Sequence, residues 1–179
     1  MVGWLIAETE SSERARQLIH ESYQKQGVDP EQLTLHADRG PAMTSQSLAQ
    51  LLGKLGVAKS HSRPSTPDDN PFSEAHFKMM KYRPDYPARF GSLVDAQTWA
   101  RKFFPWYNNE HRHSSLGLMT PTTVHYGRAA ALTAQRQVTL RAAYEAHPER
   151  FVKGLPQPPA LPEAVWINPP DSEEPDGPS

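Results

Sequence analysis

The sequence predicts an α/β fold with a helix-rich second half. Two observations carry this. Short apolar runs at residues 2–7, 32–36 and 57–61 read as strands, and amphipathic stretches alternate with them. Beyond residue 70, apolar residues recur at helical spacing instead. The 179 residues suit about one domain at roughly 100–200 residues each.

The run at 2–7 is expected to form the first strand. Ser11 or Ser12 can N-cap a helix over residues 13–26, with Ala15, Leu18, Ile19 and Tyr23 on one face and Gly27 just past its end. A second strand, 32–36, leads into Asp38-Arg39-Gly40. Residues 44–55 read as a helix with a Leu48, Leu51, Leu52, Leu55 stripe, stopped by Gly56 before the strand at 57–61. Residues 62–71 hold three prolines and read as a loop. Asn70 is expected to cap a helix with Pro71 in its first position. Ser92 with Asp95 resembles a capping box for a helix lined by Ala96, Ala100, Phe103, Phe104 and Tyr107. Pro105 should kink or shorten that helix. The chain then divides, on this reading, into a core at 1–128, a helical extension at 129–153 and a tail at 154–179. That tail holds eight prolines and an acidic end, and is expected to be poorly ordered.

The sequence holds no cysteine, which excludes disulfides, thiolate metal sites and thiol nucleophiles. A reducing cytoplasm is therefore expected. No run approaches ~20 apolar residues, and mean hydropathy is -0.69, so no membrane span is expected. The formal net charge of -1 conceals a gradient. Residues 171–179 hold four acids and no base, whereas residues 74–153 hold 12 bases, six acids and five of the eight histidines. Such a segment suits phosphate contact, although a solvated helix surface has the same composition.

Two carboxylates stand out by position. Asp38 follows a strand, and Glu74 lies in the first turn of a helix. A strand end and a helix start let residues distant in sequence converge on one metal site. Singly, each has an ordinary role: an Asp before Gly forms turns, and a Glu near a helix N-terminus complements the dipole. Lys81 follows Glu74 by seven positions, ~20° short of two helical turns, so both share a face. His36 either assists such a site or hydrogen-bonds locally. Trp106-Tyr107-Asn108 reads either as a base-stacking platform or, given its register with Phe103 and Phe104, as a docking surface. Arg112 and His113 either contact a DNA backbone or cap the structure. His111, His113 and His125 lack the paired spacing of a zinc site.

The joint pattern resembles the integrase core of insertion-sequence-three transposases, relatives of retroviral integrases. Four blocks carry it: Val2-Gly3-Trp4; His36-Ala37-Asp38-Arg39-Gly40 with Thr44-Ser45; Asp69-Asn70-Pro71 through Glu74 with Phe77 and Lys81; and Trp106-Tyr107-Asn108 through Arg112-His113-Ser114-Ser115-Leu116-Gly117 to Thr120-Pro121. The resemblance implies a ribonuclease-H-like fold with sheet order three-two-one-four-five. It also implies magnesium- or manganese-dependent phosphoryl transfer in DNA transposition and integration. Asp38 and Glu74 fall on the family's second catalytic Asp and its Glu, as metal ligands, and Lys81 falls on the following basic residue. Lys78, Arg112 and His113 join Lys81 as expected DNA-binding residues. The family's first Asp precedes Val-Gly-Trp, so the chain reads as an N-terminally truncated core without the first two strands, inactive alone. Implied partners are DNA, at element ends and target, and a second copy or a full-length transposase, in a bacterial, nucleoid-associated setting. A non-enzymatic DNA-binding or transposase-interacting protein is the alternative.

Overall fold

The computed structural model describes residues 1–64, 69–162, 164, 165 and 167. Two compact units divide at Leu93 and Val94: Val2–Leu93, and Val94–Val165 together with Met1. The acidic run at 171–179 and part of the proline loop, residues 65–68, lie outside the described residues.

The first unit is built around a short parallel sheet. Helix α1 spans Ser12–Gln26; the Ser11 side chain accepts from the Arg14 amide, and Gly27 closes it at φ 58°. Strand β1 is Thr34–Ala37. A single helix was expected over 44–55, but two occur: α2, Pro41–Thr44, and α3, Gln46–Leu55. Ser45 divides them. Its extended backbone ends α2, and its hydroxyl accepts from the Leu48 amide to start α3. Gly56 ends α3 at φ 64°, with Pro30 so close that a Cβ there would lie 2.9 Å from the ring. Strand β2, Ala58–His61, pairs with β1 in parallel, from Thr34 opposite Ala58 to Ala37 opposite His61.

Residues 2–7 form no strand, contrary to expectation. An apolar run becomes a strand only when a neighbour completes its ladder. Among the described residues the sheet consists of β1 and β2 alone.

The core of this unit is the stripe read from the sequence. Leu48, Leu52 and Val57 are buried, and Ala15, Ile19 and Tyr23 of α1 pack on them with Leu35, Met43, Leu51 and Leu55. The Tyr23 hydroxyl donates to the Leu55 carbonyl at 3.1 Å, so its ring is buried without stranding its polar end. Helix α4, Pro71–Lys81, follows the proline loop. Pro71 opens it as expected, but the Asn70 side chain makes no capping hydrogen bond, a correction to the predicted cap.

In the second unit, α5 runs Leu93–Asn109 and passes through Pro105. The expected shortening does not occur. Pro105 is exposed, while Ala100, Phe103 and Phe104 are buried. Burying two aromatic side chains, at about 1.5–3 kcal/mol each, outweighs one missing helical hydrogen bond. Helices α6, Pro121–His125, and α7, Ala129–Ala146, complete the unit. Thr120 caps α6 by accepting from the Thr123 amide. No helix among the described residues is long and apolar enough to cross a membrane.

Leu48 is completely buried. Leu48→Ala should destabilise the protein by about 2–5 kcal/mol, since the stripe cannot collapse onto the void. Urea unfolding followed by circular dichroism measures this. The exposed Ala49→Gly on the same helix should cost only about 1 kcal/mol.

Candidate functional site

The C-terminal end of the sheet is where chemistry-bearing residues collect. Parallel pairing brings the ends of β1 and β2 to one edge, and the chain leaves β2 directly into the loop that starts α4. Asp38 follows β1. One of its carboxylate oxygens accepts from the Gly40 amide at 3.0 Å, and its backbone carbonyl accepts from His61 Nδ1 at 2.9 Å. A carbonyl only accepts, so Nδ1 of His61 carries the proton. The Arg39 Nε donates back to the Ser62 carbonyl at 3.0 Å. The two strand ends are thus laced in both directions beyond their ladder.

His36 extends the lacing to α4. Its Nε2 lies 2.8 Å from the Asp69 carbonyl and its Nδ1 2.8 Å from the Ser60 hydroxyl. The same reasoning makes Nε2 the donor, with Ser60 donating to Nδ1. Of the two roles open to His36, local hydrogen bonding is the one the structure shows.

Asp69 is buried at 5 % exposure, yet satisfied. Its carboxylate accepts from the Arg63 amide at 2.7 Å and from Arg63 Nε and a terminal guanidinium nitrogen at 2.9 Å each. This bidentate pair fits the planar fork of arginine and raises the Arg63 pKa further above its ordinary value, chiefly through the side-chain hydrogen bonds. Carboxylate and carbonyl of one residue therefore fix the approach to α4 from two sides.

Glu74 lies in the first turn of α4, exposed, where the helix dipole favours a negative charge. Its carboxylate has no hydrogen-bond or ion-pair partner among the described residues. Lys78 and Lys81 are exposed further along the same helix. Asp38 follows β1 and Glu74 lies in the first turn of α4, and no hydrogen bond joins their side chains. Among the described residues, no group of three or more His, Asp or Glu is placed to hold a metal ion.

Arg112 and His113 belong to the other unit. Arg112 is exposed and borders a cavity of about 520 Å³ whose walls include Leu132, Leu140 and Pro159. His113 is held within the second unit. Its backbone pairs with Met119 in an antiparallel bridge, and its ring packs on Tyr107 and His111 with ring centres 5.1 and 4.5 Å away. Its Nε2 is buried without a hydrogen-bond partner. Burial, then the neighbouring His111, lowers its pKa. Tyr107 belongs to a ladder along α5 at four-residue spacing. Trp99 stacks on Phe103 at 4.8 Å, Phe103 on Tyr107 at 6.0 Å and Tyr107 on His111 at 5.8 Å. Burial pushes the Tyr107 hydroxyl pKa up. This is the docking surface of the two readings, not an open platform for bases.

Sequence reasoning gave no roles to His61, Arg63 and Asp69. Arg63 and Asp69 are six residues apart across prolines, and nothing in that spacing announces a pair. The pairing of strands 24 residues apart, which brings His61 to Asp38, is set by tertiary register.

Residues 55–121 match the family described as an integrase core domain. The chain is 27% identical over 122 residues to the transposase for insertion sequence element IS904 from Lactococcus lactis subsp. lactis strain IL1403. That match covers 68% of this chain and 48% of the relative, so the chain spans about half the length of the relative. Among solved structures it is similar to the catalytic core domain of BIV integrase. The TM-score is 0.50 and the identity 21%, with 71% of this chain and 78% of that chain covered. This likeness shows the fold: ribonuclease-H-like, helix-rich α/β with a short sheet.

Two outcomes test the site's geometry. His36→Phe keeps a ring but removes both hydrogen bonds, and should cost about 1–3 kcal/mol in urea unfolding; His36→Gln, which keeps a donor toward Asp69, should recover part of it. His113 gives a pH dependence. Its folded pKa lies below its unfolded one, so the unfolded chain binds more protons in acid. Its contribution is complete above the unfolded value and is lost as pH falls through about 6.5 toward the folded value. Replacing it in His113→Phe should flatten that part of a stability–pH curve.

Proposed function

We propose that this chain, similar to an integrase core at residues 55–121 and to an insertion-sequence transposase over most of its length, is a DNA-binding segment of a transposase. Asp38 and Glu74 are its contribution to a divalent-metal site, and Lys81 and Lys78 its phosphate contacts. One observation carries this reading. His36 of β1 reaches with its ring the Asp69 carbonyl, five residues before Glu74, and Asp38 follows the end of that same strand. The lacing ties the helix bearing one carboxylate to the strand end bearing the other.

Carboxylates suit hard ions such as magnesium or manganese. When bound as a pair, such ions stabilise the attacking and leaving oxygens of phosphoryl transfer. Two cations held close together repel each other unless enough negative charge lies between them. Two carboxylates supply too little, and among the described residues no group of three or more His, Asp or Glu is placed to hold a metal ion. The donor set does not by itself fit a two-ion site, so the chain alone binds DNA without cutting or joining it. This same observation favours the second reading, a protein that acts through DNA or by pairing with an intact transposase or another copy of itself. Arg112 and His113 are the candidate phosphate contacts of the second unit.

Fluorescence anisotropy on labelled duplex DNA over a salt series tests the DNA reading. Binding should be weak, sequence-tolerant and salt-sensitive, and Lys81→Ala should flatten the slope of log K against log salt by about 0.9. An unchanged slope would remove Lys81 from the interface. In a nicking assay with magnesium or manganese the unextended chain should be inactive, and cleavage abolished by Asp38→Ala would overturn that part.

A further inference from the structure

Helix α4 presents a mixed aromatic and cationic face to solvent. His76, Met79, Met80 and Arg83 are half-buried along one side. At ~100° per residue, Phe77, Lys81, Glu74, Lys78 and Tyr82 fall within a sector of about 140° on the other side. Each of these five is exposed, Phe77 by 54% and Tyr82 by 79%. The two lysines lie between the two rings: Lys81 is one turn beyond Phe77, and Tyr82 one turn beyond Lys78. Phe77 and Tyr82 thus bracket a pair of ammonium groups on one exposed face.

We propose that this face is a nucleic-acid site that prefers unpaired strands, with Phe77 and Tyr82 stacking on bases and Lys78 and Lys81 holding the phosphates between them. The proposal deepens the DNA reading above and rests on it. The chemistry selects the partner. Every base has a π-face, so rings interleaved with cations bind single strands with little regard to sequence. A duplex covers those faces with its neighbouring bases, about 3.4 Å away on each side. Phe77 and Tyr82 are five residues apart, about 7.5 Å along the helix axis, too far to engage bases still stacked on each other. The lysines are point charges that take a phosphate from any direction, so they impose no duplex geometry. Glu74 lies in the same sector and repels phosphate at the N-terminal end of the helix. That bias directs the strand toward Phe77 and the C-terminal half, where both ammonium groups stand.

The test uses the full 179-residue chain and two labelled probes, an oligothymidylate and a hairpin duplex of equal phosphate number, at one salt concentration. The wild type should bind the single strand more tightly. Phe77→Ala should weaken single-strand binding by about 5- to 150-fold, the range for one base–ring stack, and leave the duplex nearly unchanged. Phe77→Leu, which keeps apolar bulk without a π-system, should lose as much, and Phe77→Trp should keep or exceed wild-type affinity. Circular dichroism of each variant checks that the fold is kept, as the exposed position leads one to expect. Single-strand affinity unchanged in both Phe77→Ala and Phe77→Leu overturns the proposal, and so does an equal loss on both probes. Lys81-dependent binding of the duplex with no single-strand preference overturns the proposal but leaves the DNA reading standing. Binding to neither probe overturns both.

Discussion

The arrangement of the candidate site depends on how Asp69 is held. A buried carboxylate is costly unless it is paired and hydrogen-bonded, and Arg63 supplies both through its amide and the fork of its guanidinium. That solution fixes the chain just before α4. The Asp69 carbonyl is then offered to His36 across the sheet and, because it only accepts, settles that Nε2 of His36 donates, leaving the Ser60 hydroxyl to donate to Nδ1. Without this chain of bonds, a two-stranded sheet with four residues per strand would be a weak support for a site. With it, the strand ends and the start of α4 behave as one piece.

What was legible in the sequence was what local chemistry decides. Ser11, Gly27 and Gly56 act through their own backbones and nearest neighbours, and each delimits a helix here. The leucine stripe of α3 was equally clear, because a helix with one apolar face has one way to bury it. The strand at 2–7 was not legible, since a strand is a relation between segments and an apolar run specifies only half of it. Pro105 misled for the opposite reason: its local penalty is real, but Phe103 and Phe104 on the same helix are buried and decide the outcome.

The site divides in the same way. Asp38 and Glu74 could be singled out as candidates because strand ends and helix starts can be read from patterning. Arg63, Asp69 and His61 acquire their roles only through parallel register and loop closure. The surroundings of His113 were equally hidden: composition places it in a basic segment, whereas the fold sets it among rings and burial lowers its pKa. Basic character in residues 74–153 is therefore unevenly usable. Lys78 and Lys81 are exposed, whereas Arg136 is committed to structure.

Arg136 of α7 donates to the Gly117 and Leu118 carbonyls, both at 2.6 Å, and Leu118 holds φ at 58°, a conformation that costs a non-glycine residue energy. The turn is thereby recognised through its main chain, not its side chains. Backbone carbonyls are common to all amino acids, so this contact does not read the side chains of the turn. Lysine could not replace the anchor, because it offers one nitrogen where two diverging donors are needed. Constraint therefore falls on a helix 18 and 19 residues away and, within the bend, on Gly117, where a Cβ would lie 2.9 Å from the Pro159 carbonyl oxygen.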